Sequence, residues 1–232
     1  MVRVEDYELE KTVLAGVSCF AVPVEAFVPM SGEPVITAYS VCIDKAREWE
    51  RDYGDRLLSG ESLDWLEREF CAFAEKLGYK RVNSENELMI EYVFTPDMQL
   101  AKTYPDIKVH KITSNAVLEK LCEMSGCDIE IADDGEDILF AVIEEGRLCA
   151  YAGMNDLCYE DGSIEISVET APDYRRKGYG AACVCALTQY LCDKGITVRY
   201  KCSADNGPSL ALCEKCGFVL EGKRFSLVME KI

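Results

Sequence analysis

The sequence predicts a mixed α/β fold, α+β in class: a mostly antiparallel central sheet flanked by helices, with an additional N-terminal α/β part. Three observations carry that expectation. Residues 163–192 read as strand, turn and helix: Ile164, Ile166, Val168 and Thr170 alternate with Glu165, Ser167 and Glu169, Pro172 and Asp173 mark a turn, and an Ala- and Leu-rich run from Gly178 stops at Asp193-Lys194-Gly195. From residue 107 onward the order of segments is strand, helix, three strands, helix, strand, helix and two strands. Finally, 232 residues that are 49% hydrophobic and 29% charged can bury a sizeable core as one large or two small domains.

Taken in order, residues 12–22 and 34–43 are rich in β-branched side chains and flank Ser31-Gly32, which predicts two antiparallel strands. Residues 44–53 predict a short charged helix ending at Gly54. Ser62 is expected to cap a second helix that carries Leu63, Leu66, Phe70, Phe73 and Leu77 and stops at Gly78. Residues 80–82 and 87–94 read as strands around the turn 83–86. Thr95 to Asp106 holds Pro96 and Pro105 without periodicity and reads as a linker, dividing the chain into an N-terminal α/β region, 1–105, and a second domain, 106–232. Residues 107–112 are a strand, Ser114 caps a helix with Val117, Leu118 and Leu121, and 138–143 with 147–154 make a hairpin around Glu144-Glu145-Gly146. Beyond the central strand and helix, 196–201 is a strand, Asn206-Gly207-Pro208-Ser209 opens a short helix, and 218–220 with 225–230 form a closing hairpin around Glu221-Gly222-Lys223.

The formal net charge of −17 disfavours nucleic acid and anionic membranes as partners, because both are polyanions. It fits a cationic acceptor such as an amine, but an acidic surface that serves only solubility is the preferred reading. Glu5, Asp6, Glu8 and Glu10 replace the basic start of a signal peptide, and the apolar run 13–30 is broken by Pro23, Glu25 and Pro29, so a cytoplasmic protein is expected. Thirteen cysteines then read as reduced thiols acting as small hydrophobes. Cys213 and Cys216 have the spacing of zinc or redox pairs, but the second pair is missing and the single histidine, His110, is remote, so packing on one helix face explains them and no metal is expected.

The turn after the central strand reads Arg175-Arg176-Lys177-Gly178-Tyr179-Gly180, the only run of three consecutive basic residues. Two glycines, a helix start and three cations suit a diphosphate. Arg-x-x-Gly-x-Gly after such a strand resembles the acetyl-CoA-binding motif of the GNAT N-acetyltransferase superfamily. Asn206-x-x-Ser209-x-x-Leu212-Cys213-Glu214-Lys215-Cys216-Gly217-Phe218 resembles that superfamily's second signature. The Glu-Ile-x-Val-x-Thr run leading to Tyr-Arg is similar to the branch related to zwittermicin-resistance acetyltransferases. The repeat of a helix end in Ala74-Glu75-Lys76-Leu77-Gly78-Tyr79 suggests either a degenerate half of the same type or a common helix stop.

The resemblance implies an acetyl-CoA-dependent transfer of an acetyl group to a primary amine of a small molecule by direct attack on the thioester, in a monomer or homodimer. It implies that backbone groups at Val168, Glu169 and Thr170 pair with the pantetheine arm. Arg175, Arg176, Lys177, Gly178, Tyr179, Gly180 and Ala181 would hold the diphosphate, with Asn206 and Ser209 contacting the pantetheine or adenosine side. Glu165 is the preferred general base, with Glu169 on the same strand face; both could instead face solvent. Cys213 stands where the superfamily usually has a Tyr acid. A thiol could donate a proton, or Cys213 could be packing and the acid water or another Tyr. The alternatives are a catalytically silent acyl-CoA-binding regulatory module and transfer of a longer acyl group.

Overall fold

The structure, a computed structural model, describes residues 3–7, 20–76, 78–82, 88–114, 116–119, 138–159 and 161–231. Its chain makes two compact units. The first comprises 1–91, 202–206 and 220–232; the second comprises 92–201 and 207–219. Residues 92–105, assigned from sequence to the N-terminal region, thus lie in the second unit, and the last thirteen residues lie in the first.

In the first unit, β1 (Arg3–Tyr7) runs parallel to β4 (Val35–Tyr39), and β4 pairs antiparallel with β3 (Val24–Pro29). β3 in turn pairs antiparallel with β12 (Val219–Ser226). A three-stranded sheet has the order β2 (Phe20–Ala21), β13 (Met229–Lys231), β5 (Tyr79–Arg81). Two helices, α1 (Ile43–Tyr53) and α2 (Gly60–Glu75), cover a core that joins Val24, Ile36, Trp49, Leu66 and Phe70 to Phe225, Leu227 and Met229. The expected strand 12–22 falls largely outside the described residues. The hairpin about Ser31-Gly32 is built instead from β3, in the stretch that sequence reads as a broken apolar run. Pro23 and Pro29 sit at the two ends of that strand, where a missing N–H costs least.

Two elements differ from the sequence expectation. Ser59, not Ser62, caps α2: its hydroxyl accepts from the Ser62 N–H at 3.3 Å. Ser62 is buried inside the first turn, where its Oγ accepts from the Trp49 indole at 2.7 Å. Nor do residues 218–230 form a hairpin. β12 runs straight through Glu221-Gly222-Lys223, and β13 belongs to the other sheet. Gly222 is a site of close approach rather than a turn: a Cβ there would lie 2.7 Å from the Phe27 ring and from the Val28 carbonyl on the neighbouring strand.

In the second unit the sheet runs, in order, β11 (Val198–Ser203), β10 (Ile164–Thr170), β9 (Arg147–Cys158), β8 (Leu139–Glu144), β7 (His110–Ile112). β6 (Leu88–Phe94), β11 and β12 have residues in both units. Every pairing from β7 to β10 is antiparallel, and β10 with β11 is parallel. The central helix, α3 (Tyr179–Cys192), packs on β8, β9 and β10 and is buried nearly all round, as its Ala, Cys, Val and Leu content dictates. The last helix, α4 (Gly207–Cys216), packs beside it and ends at Gly217 (φ +96°), where the Gly217 and Phe218 N–H groups donate to the Cys213 carbonyl. The helix expected after Ser114 is seen over 116–119; the rest of the expected span lies outside the described residues. No helix among the described residues is long and apolar enough to cross a membrane.

Candidate functional site

β10 and β11 share only two residue pairs among the described residues, Ile164↔Val198 and Glu165↔Arg199. Beyond them the strands separate, while β10 stays paired with β9 as far as Thr170↔Ala150. Main-chain groups of β10 from Ile166 to Thr170 therefore line one side of a wedge that opens toward the start of α3. Val168 and Thr170 turn their side chains to that helix. A Cβ on Gly180 would lie 2.7 Å from Thr170 Oγ1 and 3.4 Å from Val168 Cγ2, so only glycine lets the first turn of α3 come this near the strand.

The connection itself is a tight turn, Pro172–Tyr174, followed by Arg175 in an extended conformation, Arg176 at φ +64° and Gly178 at φ +87°. A left-handed non-glycine residue costs on the order of 1 kcal/mol, and a turn of this kind can present backbone N–H groups to an anion. No side chain caps α3, and its first turn holds no acidic residue. Arg175 Nε donates to the Thr170 carbonyl at 3.1 Å, which ties the loop to the strand end. Lys177 Nζ lies 4.7 Å above the Tyr174 ring, and Tyr179 donates its hydroxyl to Glu144. That hydrogen bond, and burial after it, pushes the Tyr179 phenol up to about 12. Ala181 is buried in the first turn.

Glu165 lies on the opposite face of β10 from α3 and is buried. Three donors surround it: Asn155 Nδ2 at 3.0 Å, the Tyr159 hydroxyl at 2.5 Å and Lys201 Nζ at 3.3 Å. Burial first, and the bond to Glu165 second, push the Tyr159 phenol up to about 12. Arg199, two residues before Lys201 on β11, reaches Ser163 and Asp161 and stacks 4.9 Å from the Tyr159 ring. Glu169 is exposed on the same strand and accepts from the Tyr151 hydroxyl at 2.8 Å. Tyr159, Lys201 and Asn155 were not singled out from sequence. Lys201 was findable there: Arg199 and Lys201 alternate along β11 as Glu165, Ser167 and Glu169 do along β10, and adjacent parallel strands bring like parity to one face.

Of the residues expected from the second signature, Ser209 Oγ is 2.7 Å from the Tyr200 hydroxyl, inside the second unit. Asn206 belongs to the first unit and donates its N–H to Ser203. Cys213 is fully buried on α4, with 0% exposure. Cys216, also buried, directs its thiol to the Ala181 carbonyl at 3.8 Å, joining α4 to α3. No cluster of three His, Cys, Asp or Glu side chains able to hold a metal ion occurs among the described residues.

Residues 109–218, just under half of the chain, match the model of the acetyltransferase (GNAT) family, which identifies an acyltransferase domain over that stretch. No curated protein matches the chain in sequence. Among solved structures it is similar to a protein assigned to the GNAT family from Novosphingobium aromaticivorans, at 19% identity and a TM-score of 0.52, over 67% of this chain and 68% of that one. It is also similar to a GCN5-related N-acetyltransferase from Kribbella flavida, at 16% identity and a TM-score of 0.50, over 71% of this chain and 65% of that one. At these identities the structures share the fold: a mixed, mostly antiparallel sheet flanked by helices.

Proposed function

We propose that this acyltransferase domain takes an acetyl group from acetyl-CoA and delivers it to a primary amine of a small molecule. The observation that carries the reading is the wedge between β10 and β11, which opens on the uncapped start of α3. The chemistry of this donor set fits the cosubstrate. Backbone N–H groups of the loop 175–181, with the cations of Arg175, Arg176 and Lys177 beside them, would hold the diphosphate. Main-chain groups at Val168, Glu169 and Thr170 that point away from β9 would bind the pantetheine arm as an added strand edge, and an N–H there would polarise the thioester carbonyl. Ser209, in the same unit, is assigned to the pantetheine or adenosine side by the second signature.

The cosubstrate supplies an activated acyl carbon, and the chain's own residues manage the proton. An alkylammonium must lose its proton before its nitrogen can attack. From sequence Glu165 is the preferred base. Taking up a proton there would give up the ion pair with Lys201 in a buried setting, so Glu165 serves better as a fixed carboxylate that holds the face of β10 together. Glu169, exposed and bonded to one phenol, is free to accept the proton directly or through water. Cys213 is too deeply packed to protonate the departing thiolate without rearrangement, and that thiolate is stable enough at neutral pH to leave unassisted.

Calorimetric titration with CoA, together with thiol release from acetyl-CoA over a panel of amines, tests this reading. Glu169→Gln is expected to lower kcat by about 10²- to 10⁴-fold with CoA affinity kept. Tight CoA binding without turnover on any amine would favour a silent acyl-CoA-binding module, the alternative that the buried Cys213 supports. Faster release from longer acyl thioesters would reassign the donor.

A further inference from the structure

The segment that precedes the matched stretch crosses the outer side of α3. The Ala101 N–H donates to the Cys216 carbonyl at 3.3 Å, and the Cys185 thiol donates to the Lys102 carbonyl at 3.6 Å. Gly217 leaves room for this passage, since a Cβ there would lie 2.9 Å from the Ala101 nitrogen. Tyr104 then reaches the loop: a Cβ on Gly178 would lie 3.3 Å from Tyr104 Cε1 and 3.6 Å from Ile107 Cδ1. The phenol oxygen is buried without a hydrogen-bond partner, and burial pushes its pKa up to about 12. The ring is thus a fixed plate beside the residue that starts α3.

Two ammonium groups gather on that plate. Lys102 Nζ lies 5.3 Å from the ring centroid, and Lys215 Nζ, from the last turn of α4, lies 5.7 Å from it. Both side chains are exposed, and neither makes an ion pair among the described residues. Asp106 and Glu214, their neighbours in sequence, leave them unpaired even though the chain carries 42 acidic residues against 25 basic ones. Like charges held near one ring repel each other, and an anion bound between them would relieve that cost.

Resting on the acyl-CoA reading above, we infer that Lys102 and Lys215, set on Tyr104, form the subsite for the 3′-phosphate of the nucleotide. Coenzyme A carries a phosphomonoester on its ribose, apart from the diphosphate. With the diphosphate at the loop 175–181, the ribose lies at its margin, where Tyr104 meets Gly178. A phosphomonoester offers the two lysines three acceptor oxygens and close to two negative charges. One of the two lysines, Lys102, comes from outside the matched stretch 109–218.

The experiment compares acetyl-CoA with 3′-dephospho-acetyl-CoA by calorimetry for the full chain, for Lys102→Ala, for Lys215→Ala and for the double variant. Wild type is expected to prefer acetyl-CoA by about tenfold or more. Each single variant should lose part of that preference. The double variant should lose nearly all of it and bind the dephospho compound as wild type does. A double variant that keeps the preference, or that weakens both ligands equally, overturns the subsite while leaving the acyl-CoA reading standing. Wild type that binds neither compound overturns both. Unchanged thermal unfolding, expected for exposed lysines, shows that the variants fold.

Discussion

Glu165 stands where three stretches of the second unit converge, with an amide from β9, a phenol from the residues after it and an ammonium from β11. A carboxylate buried among such donors is secure only while all of them are present. Lys201→Met is expected to destabilise the protein by about 3 kcal/mol in denaturant unfolding, because it leaves the carboxylate charge buried and uncompensated. Adding Glu165→Gln should recover a large part of that loss; a double variant as unstable as the sum of its single changes would mean that the pair does not interact. Asp161 gives a pH signature nearby. Hydrogen bonds from the Ser163 hydroxyl and amide, and then from Arg199, hold its carboxyl down at about 2. The unfolded chain binds more protons between the ordinary carboxylate value and that one, so this stabilisation is complete above about pH 4 and is lost as the pH falls toward 2. Melting curves of wild type and Asp161→Asn should differ above pH 4 and converge near pH 2. The alternation that put Glu165 on one face of a strand was legible from the residues alone. Its confinement was not, since Tyr159 and Lys201 lie 6 and 36 positions away and only strand pairing unites them.

At the scale of elements, capping and close approach decide what composition leaves open. Ser62, the cap expected from sequence, lies three residues after Ser59, the cap that α2 has, and residue type does not separate them. Burial of Trp49 settles the matter, because its indole N–H takes the Ser62 hydroxyl as acceptor and leaves the cap to Ser59. Ser59→Ala is expected to cost about 1 kcal/mol by loss of the cap. Ser62→Ala should cost more, about 1–3 kcal/mol, by stranding a buried donor; equal losses in chemical denaturation would contradict this division of roles. Glu221-Gly222-Lys223 reads as a turn for a similar reason: glycine serves turns and tight contacts alike, and sequence does not say which. With Phe27 and the Val28 carbonyl facing the missing side chain, Gly222→Ala should lower stability by about 1–3 kcal/mol through overpacking, measured as a shift in the denaturant midpoint. The strand–turn–helix at 163–192 was read almost to the residue, because alternation, proline and helix stop all agree there.

Across the whole molecule, the division at residue 105 followed a proline-bearing stretch without periodicity. That stretch is a strap bound into the second unit through Ala101 and Lys102, and its backbone partners are carbonyl and thiol groups that no pattern announces. The thirteen cysteines are likewise spread over the whole chain. Nine are free among the described residues, most of them buried in apolar packing. Dithiothreitol is therefore expected to leave the melting temperature unchanged, and a drop on reduction would reveal a covalent bond that the fold depends on.

The core of the first unit unites Trp49 and Phe70 with Phe225, Leu227 and Met229. During synthesis, then, the opening ninety or so residues leave the ribosome without the strands that complete their interior, and they must wait while the entire second unit is made. Nascent chains arrested at increasing lengths should show protease resistance first in the later-made unit, with the amino-terminal part becoming resistant only once Met229 has emerged. A gene cut at the apparent linker would yield an amino-terminal fragment with its apolar face bare.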